Sequence, residues 1–505
     1  VIRYRRQTVL AFVLPLIAGV GGSAEAQDAA TPPPPADAPP APAEAAPAVP
    51  APAAAPAEAP PANARLDEVE QMARITARKQ EIFEQEHAQR EKEAPAVWAD
   101  DRGFAIRSGD GSYLVRIGAQ LQTDGRFFLD NDNYESNDTF LIRRMRPSLT
   151  GTLFTIADYR LVPDFAGGTL QVFDAYIDLH PWSFARLRFG KYKGTIGLER
   201  LQSDQDLPTF ERALDQNLSA TREVGVQLWG EVGGIVTYAF GIVNGAPDNT
   251  NPDVDIDHAK DVQGRLFVQP FRAPGLNAFG NLGLGVSAST GNRKGKLPTS
   301  TSAASTGLGS YKTPGQLTFF SYFAPATDTT GAQTTFGNGR ASHLDPQLFY
   351  YYGPVGLLAE YVWSRQGVQR GNNTATLTNQ STHATVSYVL FGRESYDGPT
   401  PDVPFDPAKG SAGAFELAAQ ISWLKVDPKT FGDPNDPTVT QYASPTASAR
   451  QALEWAAGIV WVPRRTFHLG VNYYQTRFKG GAGTAANVTN RPTENLLLGR
   501  AQINF

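Results

Sequence analysis

The sequence predicts an all-β protein: a sixteen-stranded antiparallel transmembrane β-barrel, preceded by a Pro/Ala-rich spacer and a short helix. Three observations carry this expectation. The chain ends on TENLLLGRAQINF, where Leu497, Gly499, Ala501, Ile503 and Phe505 take every second position and Arg500, Gln502 and Asn504 lie between. A period of two puts one set on each face of a strand. An aromatic end suits a barrel whose last strand closes in lipid against the first. The same alternation recurs from Gly111 onward. Short turns then alternate with long loops rich in Gly, Asn, Ser, Thr and Asp, as a membrane barrel with one short-turned end requires.

Composition narrows the class. Outside a short stretch near the start, the 505 residues contain no apolar run of the ~20 that a spanning helix needs. Alternating strands escape such a window. There is no Cys, so disulfides, thiolate metal sites and cysteine nucleophiles are excluded. A net charge of −5 argues against nucleic acid as a partner.

In chain order, RYRR at 3–6, an apolar run from Val9 to Val20 and Ala24-Glu25-Ala26 read as a signal peptide over 1–26. Residues 27–64 are almost entirely Ala and Pro, a semi-rigid spacer expected in the periplasm. Residues 65–94 hold Glu, Gln, Arg, Lys and Ala without Gly or Pro, and so should be helical until Pro95. Leu66, Val69 and Ala73 begin a heptad seam that Thr76 and Gln80 interrupt, leaving a short trimeric coiled coil and a solvated single helix both open.

The barrel is expected over 103–505. Its strands fall near 111–129, 139–153, 157–166, 169–180, 184–193, 222–231, 235–244, 260–271, 277–290, 341–352, 355–366, 379–391, 413–427, 451–462, 466–478 and 493–505. Gln316–Phe323 is a further strand candidate. Sixteen strands enclose a water-filled lumen. The connection 392–413 is long and Pro-rich, and is expected to fold up into the lumen.

Several blocks carry a family resemblance: FLIRRMRP at 140–147 with Gly151, RFGKYK at 188–193, TYAFGIVNG at 237–245, GRLFVQPF at 264–271, GLLAEYV at 356–362 and GRAQINF at 499–505. In order and coverage they resemble the phosphate-selective porins O and P. The resemblance implies a homotrimeric outer-membrane channel for small anions, phosphate or polyphosphate among them, with an infolded third loop as constriction. It also places the chain in a Gram-negative outer membrane, with lipid and lipopolysaccharide as surroundings and the barrel-assembly machinery meeting Phe505.

An anion filter needs several cations facing a narrow lumen, because guanidinium and ammonium groups replace the water that an oxyanion sheds. By parity Arg144 and Arg146 face inward, as do Arg186 and Arg188, with Lys191 and Lys193 beyond them. Arg116, Arg126 and Arg265 are further inward candidates, and Arg222 ends the loop 194–221. That loop is the candidate constriction, yet Glu199, Asp204, Asp206, Glu211 and Asp215 outnumber Arg200 and Arg212. The imbalance predicts a general anion preference more readily than a phosphate trap. Wall carboxylates such as Asp124, Asp174 and Asp178 could simply pair with the arginines.

The six His are scattered, with no metal-ligand spacing, and neither a nucleophile elbow nor a P-loop is present. No enzyme activity, metal or cofactor is expected. His383, within QSTH, reads as an ordinary wall histidine. Two other readings stay open: a porin for sugars or general diffusion, with Tyr176 as a stacking surface, and a structural barrel tethered to the cell wall through residues 28–93.

Overall fold

The computed structural model describes residues 62–129, 137–182, 184–272, 278–296, 305–325, 328, 330–433, 436 and 438–505. The expected signal peptide and nearly all of the spacer lie outside them. The chain divides into two compact units, 1–78 and 79–505. The helix α1, Ala62–Glu93, spans that division; its apolar side chains Leu66, Val69, Met72, Ile75, Ile82 and Phe83 are exposed.

Sixteen strands in the second unit form one closed antiparallel sheet. They are β1 Leu114–Phe128, β2 Thr139–Leu153, β3 Ala157–Asp164, β4 Gln171–Leu179, β5 Arg186–Tyr192, β6 Glu223–Val232, β7 Val236–Val243 and β8 Asp261–Val268. The ring continues through β9 Leu282–Lys294, β10 Thr335–Tyr352, β11 Val355–Arg370, β12 Asn373–Leu390, β13 Ala414–Lys425, β14 Ala449–Arg464, β15 Phe467–Thr484 and β16 Glu494–Asn504. Each pairs with its sequence neighbour, and β16 closes on β1 from Leu496↔Phe128 to Asn504↔Gln120. Closure matters because each backbone group left unpaired at an edge facing lipid costs several kcal/mol.

The seam has a second piece. Phe505 and Ala119 exchange backbone hydrogen bonds of 3.0 and 2.7 Å, and β16 reaches no further. Below that point β1 pairs instead with Gly103–Arg107, the inner strand of a hairpin begun by Ala96–Asp100. The Phe104 ring packs edge-on against Phe505.

Burial is inverted relative to a water-soluble protein. Large apolar side chains such as Ile142, Phe240, Ile421 and Leu469 are exposed, while Gln122, Asp124, Asp345, Glu360, Ser364 and Glu454 are buried. This is the expected pattern of a wall with lipid outside and polar contacts within.

Most strands begin and end within a few residues of expectation. The larger differences are at the rim, where β11 and β12 extend until only 371–372 join them, and β15 runs on to Thr484. Gln316–Phe323 is not a wall strand. Thr318–Phe320 pairs with Tyr311–Lys312 inside the loop after β9. Its rings bury themselves: Tyr311, Phe319, Phe320 and Tyr322 join Leu214, Leu218, Leu377, Leu424 and Phe478 in the main apolar cluster. That cluster fills the lumen against β11–β15.

The connection 391–413 meets its expectation by half. The Tyr396 hydroxyl donates to the Leu198 carbonyl at 2.6 Å, and its ring stacks on Phe349. Residues 402–405 and 407–410 stay exposed at the base.

Candidate pore constriction

The 30-residue segment 193–222 between β5 and β6 lies inside the barrel, and its two faces have different partners. One face is fixed to the wall of β10–β15. Gly197 N–H donates to Asp345 at 2.7 Å, and Glu199 N–H to Glu360 at 3.0 Å. Phe210 N–H donates to Asn472 at 2.7 Å, and Glu211 N–H to the Tyr474 hydroxyl at 2.9 Å. Backbone donors of an irregular segment must find acceptors once buried, and here wall side chains supply them. Gly197 turns the chain at φ +93°, where a Cβ would meet Arg200 and Gln216 at 2.8 Å.

The other face looks across a cavity of about 600 Å³ to β2, β4 and the loop after β9. Seven basic side chains line it, Arg143, Arg144, Arg146, Arg200, Arg212, Arg222 and Lys312, against two carboxylates, Asp204 and Glu211. Asp204 joins Arg144 (3.2 Å), Arg212 (2.5 Å) and Arg146. Glu211 takes two bonds from Arg143, 2.7 and 2.9 Å, and one each from Arg500 and Arg126. Burial alone would raise both carboxyls. The surrounding guanidiniums outweigh it and hold both well below the usual range. Among the described residues, Arg200 and Lys312 form no ion pair.

The acid-rich loop therefore leaves a basic cavity because three of its five acids turn away. Glu199 and Asp215 face the back wall near His383. Asp206 points toward the base, against Gly398. Burial, with Asp397 adding to it, pushes its carboxyl up to about 7.

The profile of the phosphate-selective porin O and P family matches residues 115–505. The chain belongs to that family. Similar solved structures include the outer-membrane channel DcaP of Acinetobacter baumannii, 12% identical over 80% of this chain and 100% of that one, with a TM-score of 0.49. Another is the anion-selective porin from Comamonas acidovorans, 12% identical over 78% and 100%, at 0.47. No curated protein sequence matches. Fold and family together make this an outer-membrane porin.

Within this porin the expected cations occupy three levels. Arg144, Arg146 and Arg222 line the cavity; Arg146 bonds Asp164 and Arg222 bonds Asp174, each at 2.7 Å. Arg126 lies beside them, between Asp124 and Glu211. Arg188 and Arg186 sit lower on β5, paired with Asp178 and Asp158. Arg116 is near the base, bonded to Asp100 of the seam hairpin. Arg265 donates to Gln347 on the wall. Two lysines are tied elsewhere: Lys191 to Asp253 of the loop after β7, Lys193 to the Leu201 and Gln202 carbonyls. In the loop, Arg200 donates to the Gln216 carbonyl and Arg212 to that of Gln202.

Two cavity residues defy strand parity, and each sits at a β-bulge. Register slips between Gln122 and Thr123 leave Arg143 as the extra residue of β2. A second slip between Val162 and Pro163 does the same for Phe173 on β4. A bulge re-aims one side chain, and both turn inward. Phe173 alternates with Ala175, Ile177 and Leu179 along β4, yet its ring lies under the guanidiniums of Arg146 (3.9 Å) and Arg222 (5.1 Å). The sequence does hold signals for this. Pro163 lacks the donor a ladder needs, and an outward Arg143 would place a charge in lipid.

Proposed function

We propose that this porin passes small anions by diffusion through the cavity between loop 193–222 and the arginine face of β2–β6. The observation that carries the reading is the lining: seven basic side chains against two carboxylates around about 600 Å³. Guanidiniums spread along such a wall offer successive, weak oxyanion contacts, which conduction favours over one deep trap. Most already hold a carboxylate, so a passing anion exchanges with a bound partner. This favours general anion preference, with phosphate and polyphosphate as candidate solutes. The porin is proposed to work as a homotrimer, with the residues before the barrel in the periplasm.

Reversal potential across a KCl gradient in a planar bilayer tests the reading. Anion selectivity is expected, with chloride current reduced by added phosphate only at high concentration. Cation selectivity would overturn it. Block by low phosphate would replace general preference with a specific site.

A further inference from the structure

We propose that the chamber behind loop 193–222 is a transition-metal site in which Glu199, Asp215 and His383 hold one divalent ion and fasten the constriction loop to β12. One ligand atom from each residue lies within 4.8 Å of the other two, and all three residues are buried. Two come from the loop and one from the wall, so an ion here would join the two directly.

A second observation points to a ligand. His383 is 2% exposed, and among the described residues its Nε2 has no hydrogen-bond partner. Its Nδ1 faces carboxylates, 2.9 Å from Asp215 Oδ2 and 3.7 Å from Glu360 Oε1. Asp215 Oδ1 is buried and likewise without a partner. Donors sharing one zinc at about 2.0–2.1 Å sit roughly 3.3 Å apart, a spacing within reach of three ligand atoms that already lie within 4.8 Å of one another.

Charge gives the same direction. Glu199, Asp215 and Glu360 are buried together, and among the described residues no Lys or Arg forms an ion pair with any of them. Buried carboxylates without a cation are costly unless they take up protons, and a divalent ion bound here would displace those protons. Carboxylate oxygens with one imidazole suit Zn²⁺ or Mn²⁺ rather than Ca²⁺, which takes more oxygens. The donors are also oriented from outside: Glu199 accepts from Ala213 N–H (3.1 Å) and Gln420 (3.3 Å), and Asp215 from Gln216 (2.9 Å). Such support is usual around metal ligands. The sequence hides the set because its members come from residues 199, 215 and 383.

The full-length porin, refolded with Zn²⁺ or with Mn²⁺ and then desalted, tests this by elemental analysis. The expected result is about one ion per chain, with a higher temperature for loss of the heat-resistant barrel than after refolding in chelator. His383→Gln and Glu199→Gln should retain less than a tenth of that metal. A folded wild-type barrel that keeps neither ion and gains no heat resistance from either overturns the proposal. So does His383→Gln holding as much metal as wild type. If the variants fail to fold, the wild-type comparison alone decides.

Discussion

The two halves of the lumen are built on opposite rules. Against β10–β15, loop 193–222 and the aromatic hairpin Tyr311–Phe320 fill the space with an apolar cluster and carboxylates that accept backbone bonds. Against β2–β6, cations are held apart on carboxylates and a cavity stays open. The first half behaves as a protein core; the second keeps its charges near water. On the function proposed above, the first half carries stability and the second carries selectivity.

Charge removal on the open half should have the largest effect. Arg144→Gln with Arg146→Gln is expected to abolish anion selectivity in reversal-potential measurements, because Asp204 then keeps only Arg212. Leu218→Ala on the filled half should do the opposite. Leu218 is fully buried in the cluster, so about 2–5 kcal/mol of stability is expected to disappear, read as a lower temperature for loss of the heat-resistant form. Selectivity should stay.

Asp206 sits beneath the loop and offers a pH test. Its carboxyl is raised to about 7, so folding favours the protonated form. A raised carboxyl contributes its full stability below its unfolded value, near 4, and loses it as pH rises through about 7. Current noise should therefore grow between pH 6 and 8 as the contact with Gly398 loosens, and Asp206→Asn should flatten that rise. Phe173→Leu is the smallest change. It removes two cation–π contacts worth about 0.5–1 kcal/mol each, so a modest shift in selectivity and little loss of heat resistance are expected.

Much of this was legible in the residues. Alternation gave the sixteen wall strands, because a face in lipid and a face in the lumen impose a strict period of two. The family resemblance pointed to the infolded loop at 194–221, and parity put Arg144 and Arg146 in the lumen. Arg143 and Phe173 were not legible by parity, since one extra residue at each bulge reverses it locally. Which acids of the loop face the cavity was hidden too. Glu199 and Asp215 are drawn to His383 on a strand far along the chain, and only the closed barrel brings them together. Gln316–Phe323 reads as a wall strand because aromatic residues suit a sheet and a buried cluster alike.

The most direct test sets the two halves side by side: reversal potentials of Arg144→Gln/Arg146→Gln and of Leu218→Ala under one KCl gradient. Selectivity lost in the first and kept in the second is the predicted result. Equal loss in both, or selectivity unchanged by the arginine substitutions, would contradict the assignment of ion choice to the open half.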